Sequence, residues 1–130
     1  MIRRSGSCGC ATPQYKINGD GTVTDNQTGL VWQQVVPSGT YGPLDAQSYC
    51  QNLNLGGTGA GWRLPTLSEL FSLVDLGSAP PYIDSAAFPN TPPAAFWTAG
   101  PPYDAIDFSR GSEGGNANYN AVRCVISYGP

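Results

Sequence analysis

The chain has 130 residues, enough for one domain with a buried core. Only 12% of them are charged, the formal net charge is −3, and there are 17 glycines, 12 prolines and no histidine. The missing imidazole excludes Ser-His-Asp and Cys-His chemistry and removes the commonest metal ligand, and a negative balance without a basic stripe excludes an ordinary nucleic-acid surface.

Polarity here comes mostly from Ser, Thr, Asn and Gln, a mix common in exported domains, so an exported rather than a cytosolic location is expected. Met1-Ile2-Arg3-Arg4 carries the charge of a signal-peptide start, but no apolar segment follows it. The expectation is an export signal already removed, or a domain cut from a longer chain. No run approaches the roughly 18 apolar residues of a membrane span. Residues 1–13 read as a flexible or linking tail and 14–130 as the folded domain. Cys8-Gly9-Cys10 in that tail has no second pair at metal-site spacing, so no metal is expected. The two cysteines read as a terminal disulfide or loose thiols, or as a covalent link to a neighbouring chain or to the rest of a longer protein.

The folded part opens as short strands joined by tight turns. Gln14-Tyr15-Lys16-Ile17 and Thr22-Val23-Thr24 flank Asn18-Gly19-Asp20-Gly21, whose Asn-Gly and Asp-Gly pairs suit the positive φ of a hairpin. Asp25-Asn26-Gln27-Thr28-Gly29 turns into Leu30-Val31-Trp32-Gln33 and completes a β-meander. Asn18, Asp20 and Asp25 resemble part of a calcium loop, but in that register Lys16 and Gln27 fall on the first and last ligand positions. A turn is the better reading.

A first helix is expected over 43–54, with Pro43 at its first position and Ala46, Tyr49, Cys50 and Leu53 on one face. The glycine-rich run 56–61 lacks the Gly-Lys-Ser/Thr ending of a phosphate loop. A second helix is expected over 67–76. Thr66 suits its N-cap and Glu69 stands at capping-box spacing. Leu67, Leu70, Phe71, Val74 and Leu76 supply its apolar stripe, and Gly77 with Pro80-Pro81 closes it. Trp32, Trp62 and Trp97 are expected in the core, with Arg63 bonded to a carboxylate or carbonyls at the helix start.

Residues 78–95 hold five prolines and no periodicity, a long loop pegged by Tyr82-Ile83-Asp84 and Ala87-Phe88-Pro89. Strands are expected over 95–98 and 105–109, a polar turn over 110–118, and a final strand over 119–128. In that strand Val122, Cys124, Ile126 and Tyr128 share one face, while Arg123 and Val125 take the other and suggest cover on both sides. Cys50 and Cys124 each sit on an apolar face of their own element. A bond between them would close a loop of roughly 75 residues, worth about 4 kcal/mol in the chain-entropy model.

Four motifs now stand in order. They are Asp-Gly-Thr-Val-Thr-Asp-Asn-x-Thr-Gly-Leu-Val-Trp-Gln at 20–33, Gly-Trp-Arg-Leu-Pro-Thr-x-x-Glu-Leu at 61–70, Phe96-Trp97-Thr98, and Val122-Arg123-Cys124-Val125. Together they closely resemble the Lcl C-terminal domain family (DUF1566), over about residues 15–127. The resemblance implies an α+β, C-type-lectin-like fold: two helices packed on small twisted antiparallel sheets with long loops. It also implies a disulfide from the first helix to the last strand, here Cys50–Cys124, an extracellular or cell-surface location on a bacterium, and an adhesin-like role in an oligomer. Some family members bind sulfated polysaccharides, which requires clustered cations. This chain has six basic residues in all, Arg3 and Arg4 among them, so that specificity is not carried over. Nor does it contain the Glu-Pro-Asn or Gln-Pro-Asp triplet of calcium-dependent lectins; Phe88-Pro89-Asn90 lacks the first oxygen ligand.

The expected function is therefore non-enzymatic recognition or adhesion, with a cell-surface glycan or protein as partner and no cofactor. Loop residues Tyr41, Tyr82, Asp84, Tyr103, Asp104, Arg110, Glu113, Asn116, Asn118 and Tyr119 are the candidate binding set. Tyrosine and asparagine give flat apolar contact with adaptable hydrogen bonds. The alternative is a structural subunit that self-assembles into a surface fibre or pilus-like filament through its cysteine-bearing tail. A formylglycine-generating-enzyme-like catalyst would need a reactive cysteine pair, for which Cys50 and Cys124 are better used as a disulfide.

Overall fold

The computed structural model describes residues 13–56 and 61–127. Among them the chain forms two helices and two antiparallel sheets in mixed order. The elements are β1 (Tyr15–Ile17), β2 (Thr22–Asp25), β3 (Leu30–Gln33), α1 (Pro43–Gln51), α2 (Leu67–Phe71), β4 (Ala95–Trp97), β5 (Ala105–Asp107), β6 (Ser112–Glu113) and β7 (Val125–Ser127). One sheet has the order β1-β2-β3-β7 and the other β4-β5-β6.

The meander forms where the turn residues place it. Gly19 and Gly29 take φ of 82° and 79°, values that cost glycine little. Asp25 Oδ1 accepts from the Gln27 N–H at 2.9 Å and fixes the second turn. Val23 then faces Trp32 across β2 and β3, and Trp32 faces Val125 across β3 and β7.

Alternation along these strands feeds two separate cores. Val23, Leu30, Trp32 and Val125 lie in one, with Leu70, Leu73, Phe88 and Phe96. Val31, Val122, Cys124 and Ile126 lie in the other, with Ala46, Cys50, Trp62, Leu64 and Trp97. The first sheet is thus covered on both faces, as the residues of the last strand suggested. Each large side chain so buried is worth about 1.5–3 kcal/mol relative to exposure.

α1 closes the second core. Pro43 stands in its first turn, and the disulfide Cys50–Cys124 joins it to the segment before β7 with a Cα–Cα distance of 5.5 Å. α2 opens on the expected capping box: Thr66 Oγ1 accepts from the Glu69 N–H and Glu69 Oε1 from the Thr66 N–H.

Several expected elements are shorter. α2 ends at Phe71, because the Ser72 hydroxyl bonds the Glu69 carbonyl and the next N–H groups reach back only three residues. The Asp75 N–H then turns to the Tyr82 carbonyl. Leu73, rather than Phe71 or Leu76, therefore enters the core; Phe71 is 51% and Leu76 70% exposed. α1 stops at Gln51, and Leu53 packs from the following turn. The last strand is not continuous over 119–128. Asn120 bridges to Tyr41 and Ala121 to Phe96, and only Val125–Ser127 extends the sheet, with Arg63 bridging Val125 on its other side. Tyr128, Cys8 and Cys10 lie outside the described residues. The polar turn over 110–118 contains β6, whose Glu113 pairs with Ile106.

The proline-rich stretch over 78–95 has no helix or strand before β4. It is pinned by Ile83, Ala87 and Phe88, which are buried in the first core. Asp84 folds this loop locally, its Oδ1 accepting from the Ala86 and Ala87 N–H groups.

Arg123 is the unexpected member of this architecture. It is 1% exposed, yet its guanidinium meets no carboxylate among the described residues. It donates to the carbonyls of Gln33 and Gln34 and to Thr91 Oγ1, and lies 4.7 Å from the Phe88 ring centroid. Burial lowers its pKa to about 9, so it stays a cation at neutral pH. A planar fork of donors over an aromatic face is work that arginine does and lysine does not.

Candidate functional site

Six of the ten loop residues gather around β4 and the start of α1. Tyr41 pairs with Asn120 by two backbone hydrogen bonds, and its carbonyl accepts from Trp97 Nε1 at 2.6 Å. Its ring stands 5.5 Å from that of Tyr49. Tyr103 meets Trp97 edge-on at 6.3 Å and donates its hydroxyl to Gln47 Oε1 at 2.7 Å. Asp104 is exposed, its backbone N–H on the Thr98 hydroxyl.

Asn116 builds the facing loop. Its Oδ1 accepts from the N–H groups of Asn118 and Tyr119, while its backbone exchanges hydrogen bonds with the Asn120 side chain at 2.9 and 2.6 Å. This leaves Tyr119 62% exposed at the tip. Gly115 lets the loop come down onto the sheet: a Cβ there would lie 2.7 Å from that of Ala105 and 2.9 Å from that of Ala95. Trp97, Tyr103, Asp104, Gly115 and Asn116 line a cleft of about 230 Å³.

The other four are placed elsewhere. Tyr82 bonds through its backbone to Phe108, Asp84 folds its own loop, and Arg110 is exposed. Glu113 borders a different groove, of about 440 Å³, with Leu67, Phe71, Ile106 and Gly111.

A second cleft, of about 320 Å³, adjoins the first across the Tyr103–Gln47 contact. Gln47, Gln51, Arg63, Leu64, Thr66 and Ala99 line it. The loop that carries Ala99 is tied to α2's start by the Ala99 N–H on the Pro65 carbonyl. Sequence reasoning missed Gln47 and Gln51; their i, i+4 spacing, which puts both amides on one exposed helix face, was the available signal. Arg63 and Thr66, read as architecture, are architecture and cleft wall together.

Arg63's charge is already spent within the fold. Nη1 and Nη2 bond Glu69 Oε1 and Oε2 at 2.7 and 2.9 Å, and the same nitrogens reach the Leu64 carbonyl and Ser127 Oγ. These hydrogen bonds raise Arg63's pKa and hold that of Glu69 below the usual carboxylate range. Among the described residues no three His, Cys, Asp or Glu side chains come together as a metal site, and no helix is long and apolar enough to cross a membrane.

These features define a small disulfide-tied domain whose loops meet in paired clefts beside its first helix. The chain matches the Lcl C-terminal domain family over residues 21–126, most of its length, and belongs to that family. No curated protein and no solved structure matches it significantly.

Proposed function

We propose that this domain is a non-enzymatic recognition module of the bacterial cell exterior, binding a surface glycan or protein through the loops around Tyr41, Tyr103, Asp104, Asn116, Asn118 and Tyr119. The observation that carries the reading is Tyr103, fixed at both ends: its ring against Trp97 and its hydroxyl on Gln47. An aromatic side chain held this way contributes contact without losing rotamer freedom on binding. The titratable side chains on the paired clefts, Tyr103, Asp104 and an ion-paired Arg63, make a poor set for acid–base catalysis.

A disulfide favours an oxidising compartment, in keeping with a location outside the cell. The same reading takes the topology to be C-type-lectin-like, supported by the bond from α1 to the segment before β7 and by the pairing of β3 with β7. The test is binding of Tyr103→Ala and Tyr119→Ala to arrayed glycans and to intact cells. Loss in the first, and at least weakening in the second, is expected; unchanged binding in both removes the proposal.

A second reading, a self-assembling fibre subunit, is favoured by one observation. Phe71 and Leu76, 51% and 70% exposed, stand beside the apolar groove of Leu67, Ile106 and Gly111. Light scattering with and without reductant tests it. Polymers lost on Leu76→Ser support a fibre, and a monomer at every concentration ends that reading.

A further inference from the structure

The paired clefts say which class of ligand they suit. We infer that it is an uncharged, hydroxyl-rich saccharide, laid across the Tyr103–Gln47 contact with one part in each cleft; this rests on the recognition reading above.

Charge comes first. Among the described residues the only cation on either cleft is Arg63, and both of its terminal nitrogens are doubly engaged, with Glu69, the Leu64 carbonyl and Ser127. A sulfate or carboxylate arriving there would find no free fork of donors and would meet the Glu69 carboxylate behind it. The other cleft presents Asp104, which repels an anion. The chain's net charge of −3 adds to that repulsion.

The remaining polar groups are of a different kind. Gln47, Gln51 and Asn116 carry amides, and Thr66 and Tyr103 carry hydroxyls; the Gln47 oxygen already accepts from Tyr103 and the Asn116 oxygen from two backbone N–H groups, which leaves their NH2 groups to donate. Sugar hydroxyls also donate and accept, so the amides and hydroxyls can answer them in one sense or the other, while the Asp104 carboxylate accepts from them. Leu64 and Ala99 in one cleft, and Ala105 and Ala117 in the other, give apolar surface for the C–H faces of the rings.

The test uses the whole chain, titrated with a neutral disaccharide panel and with the same sugars sulfated, followed by heteronuclear NMR. A neutral member should shift the side-chain amide signals of Gln47 and Gln51. Its affinity should change less than twofold between about 0.05 and 0.5 M salt, because no ion pair forms. Gln51→Ala should weaken it about tenfold, the scale of one or two hydrogen bonds. Gln51 is exposed on α1, so this variant keeps the fold.

Saturable binding of the sulfated sugars alone, fading with salt, would overturn the ligand class and leave the recognition reading standing. So would the absence of any saccharide shift in a protein whose attachment to cells still depends on Tyr103. Loss of both, with neither sugars nor cells bound, would overturn the two together.

Discussion

Glu69 grips Arg63 with both carboxylate oxygens, at 2.7 and 2.9 Å, and with Oε1 also accepts the Thr66 N–H at 2.8 Å. One side chain thereby caps a helix, pins the bridge between Arg63 and Val125, and neutralises the cation beside a cleft. Because Arg63 is 39% exposed, water screens the pair, and its worth is that of a capping box plus a modest ion pair. Glu69→Ala should cost about 2 kcal/mol and Glu69→Gln, which keeps one acceptor, about 1.

The same pair sets a pH dependence. Hydrogen bonds from Arg63 lower the Glu69 pKa in the folded chain, so the unfolded chain binds more protons between the two values. The stabilisation is whole above the unfolded value of about 4.3 and is lost as pH falls through the lower folded one. Urea melts of the parent and Glu69→Gln should differ at neutral pH and converge as the medium is acidified below about pH 4. A constant gap would show that the charge contributes nothing.

The disulfide permits a larger prediction. It spans 74 positions, and both cysteines are fully buried. Replacing both by alanine should cost about 4 kcal/mol, chiefly by freeing the unfolded chain. The urea midpoint should drop while the circular dichroism of the folded baseline is kept. In the parent, reductant should release thiols to a labelling reagent only when urea is also present.

Arg123 should be the least replaceable cation. Arg123→Lys cannot reach the two carbonyls and Thr91 at once and leaves a buried ammonium poorly partnered, a loss of about 3 kcal/mol. Arg123→Met removes the buried charge but strands the same acceptors, and should cost about 2 kcal/mol. Thermal melts rank the two; lysine equal to arginine would refute the fork's role.

How far the sequence reached follows from the range of each interaction. The meander and the capping box were legible because Asn18-Gly19, Gly29 and the Thr66–Glu69 spacing act over a few residues. So was the split of Val122, Cys124 and Ile126 from Arg123 and Val125, which needs only alternation. The length of α2 was not legible. The apolar positions up to Leu76 fit a helix, but the Tyr82 carbonyl, seven residues beyond Asp75, takes the chain away and puts Leu73 inside. Arg123's burial depends on carbonyls about ninety positions upstream, at Gln33 and Gln34. The candidate set shared a composition rather than a location. Tyr103 and Asn116 line one cleft, Glu113 borders another groove, and Gln47 was overlooked because nothing local ties it to a tyrosine 56 positions away.

Gly115 connects stability to the proposed binding face. Its missing side chain is what allows the Asn116 loop to approach Ala95 and Ala105, whose Cβ atoms cannot move without the sheet. Gly115→Ala must therefore lift the loop, at about 1–3 kcal/mol for the overpacking. The shift would strain both hydrogen bonds between Asn116 and Asn120 and widen the cleft that Tyr103 and Asp104 share with that loop. Gly114→Ala is not the comparison to use, since φ of 145° penalises a side chain there for a different reason. Serine in place of the exposed Ala79, which lines neither cleft, is the better control, expected within about 0.5 kcal/mol of the parent. A thermal melt and a ligand titration on each variant separate the effects. Gly115→Ala should lose affinity at temperatures where it is still fully folded, and a parent-like affinity there would detach this loop from binding.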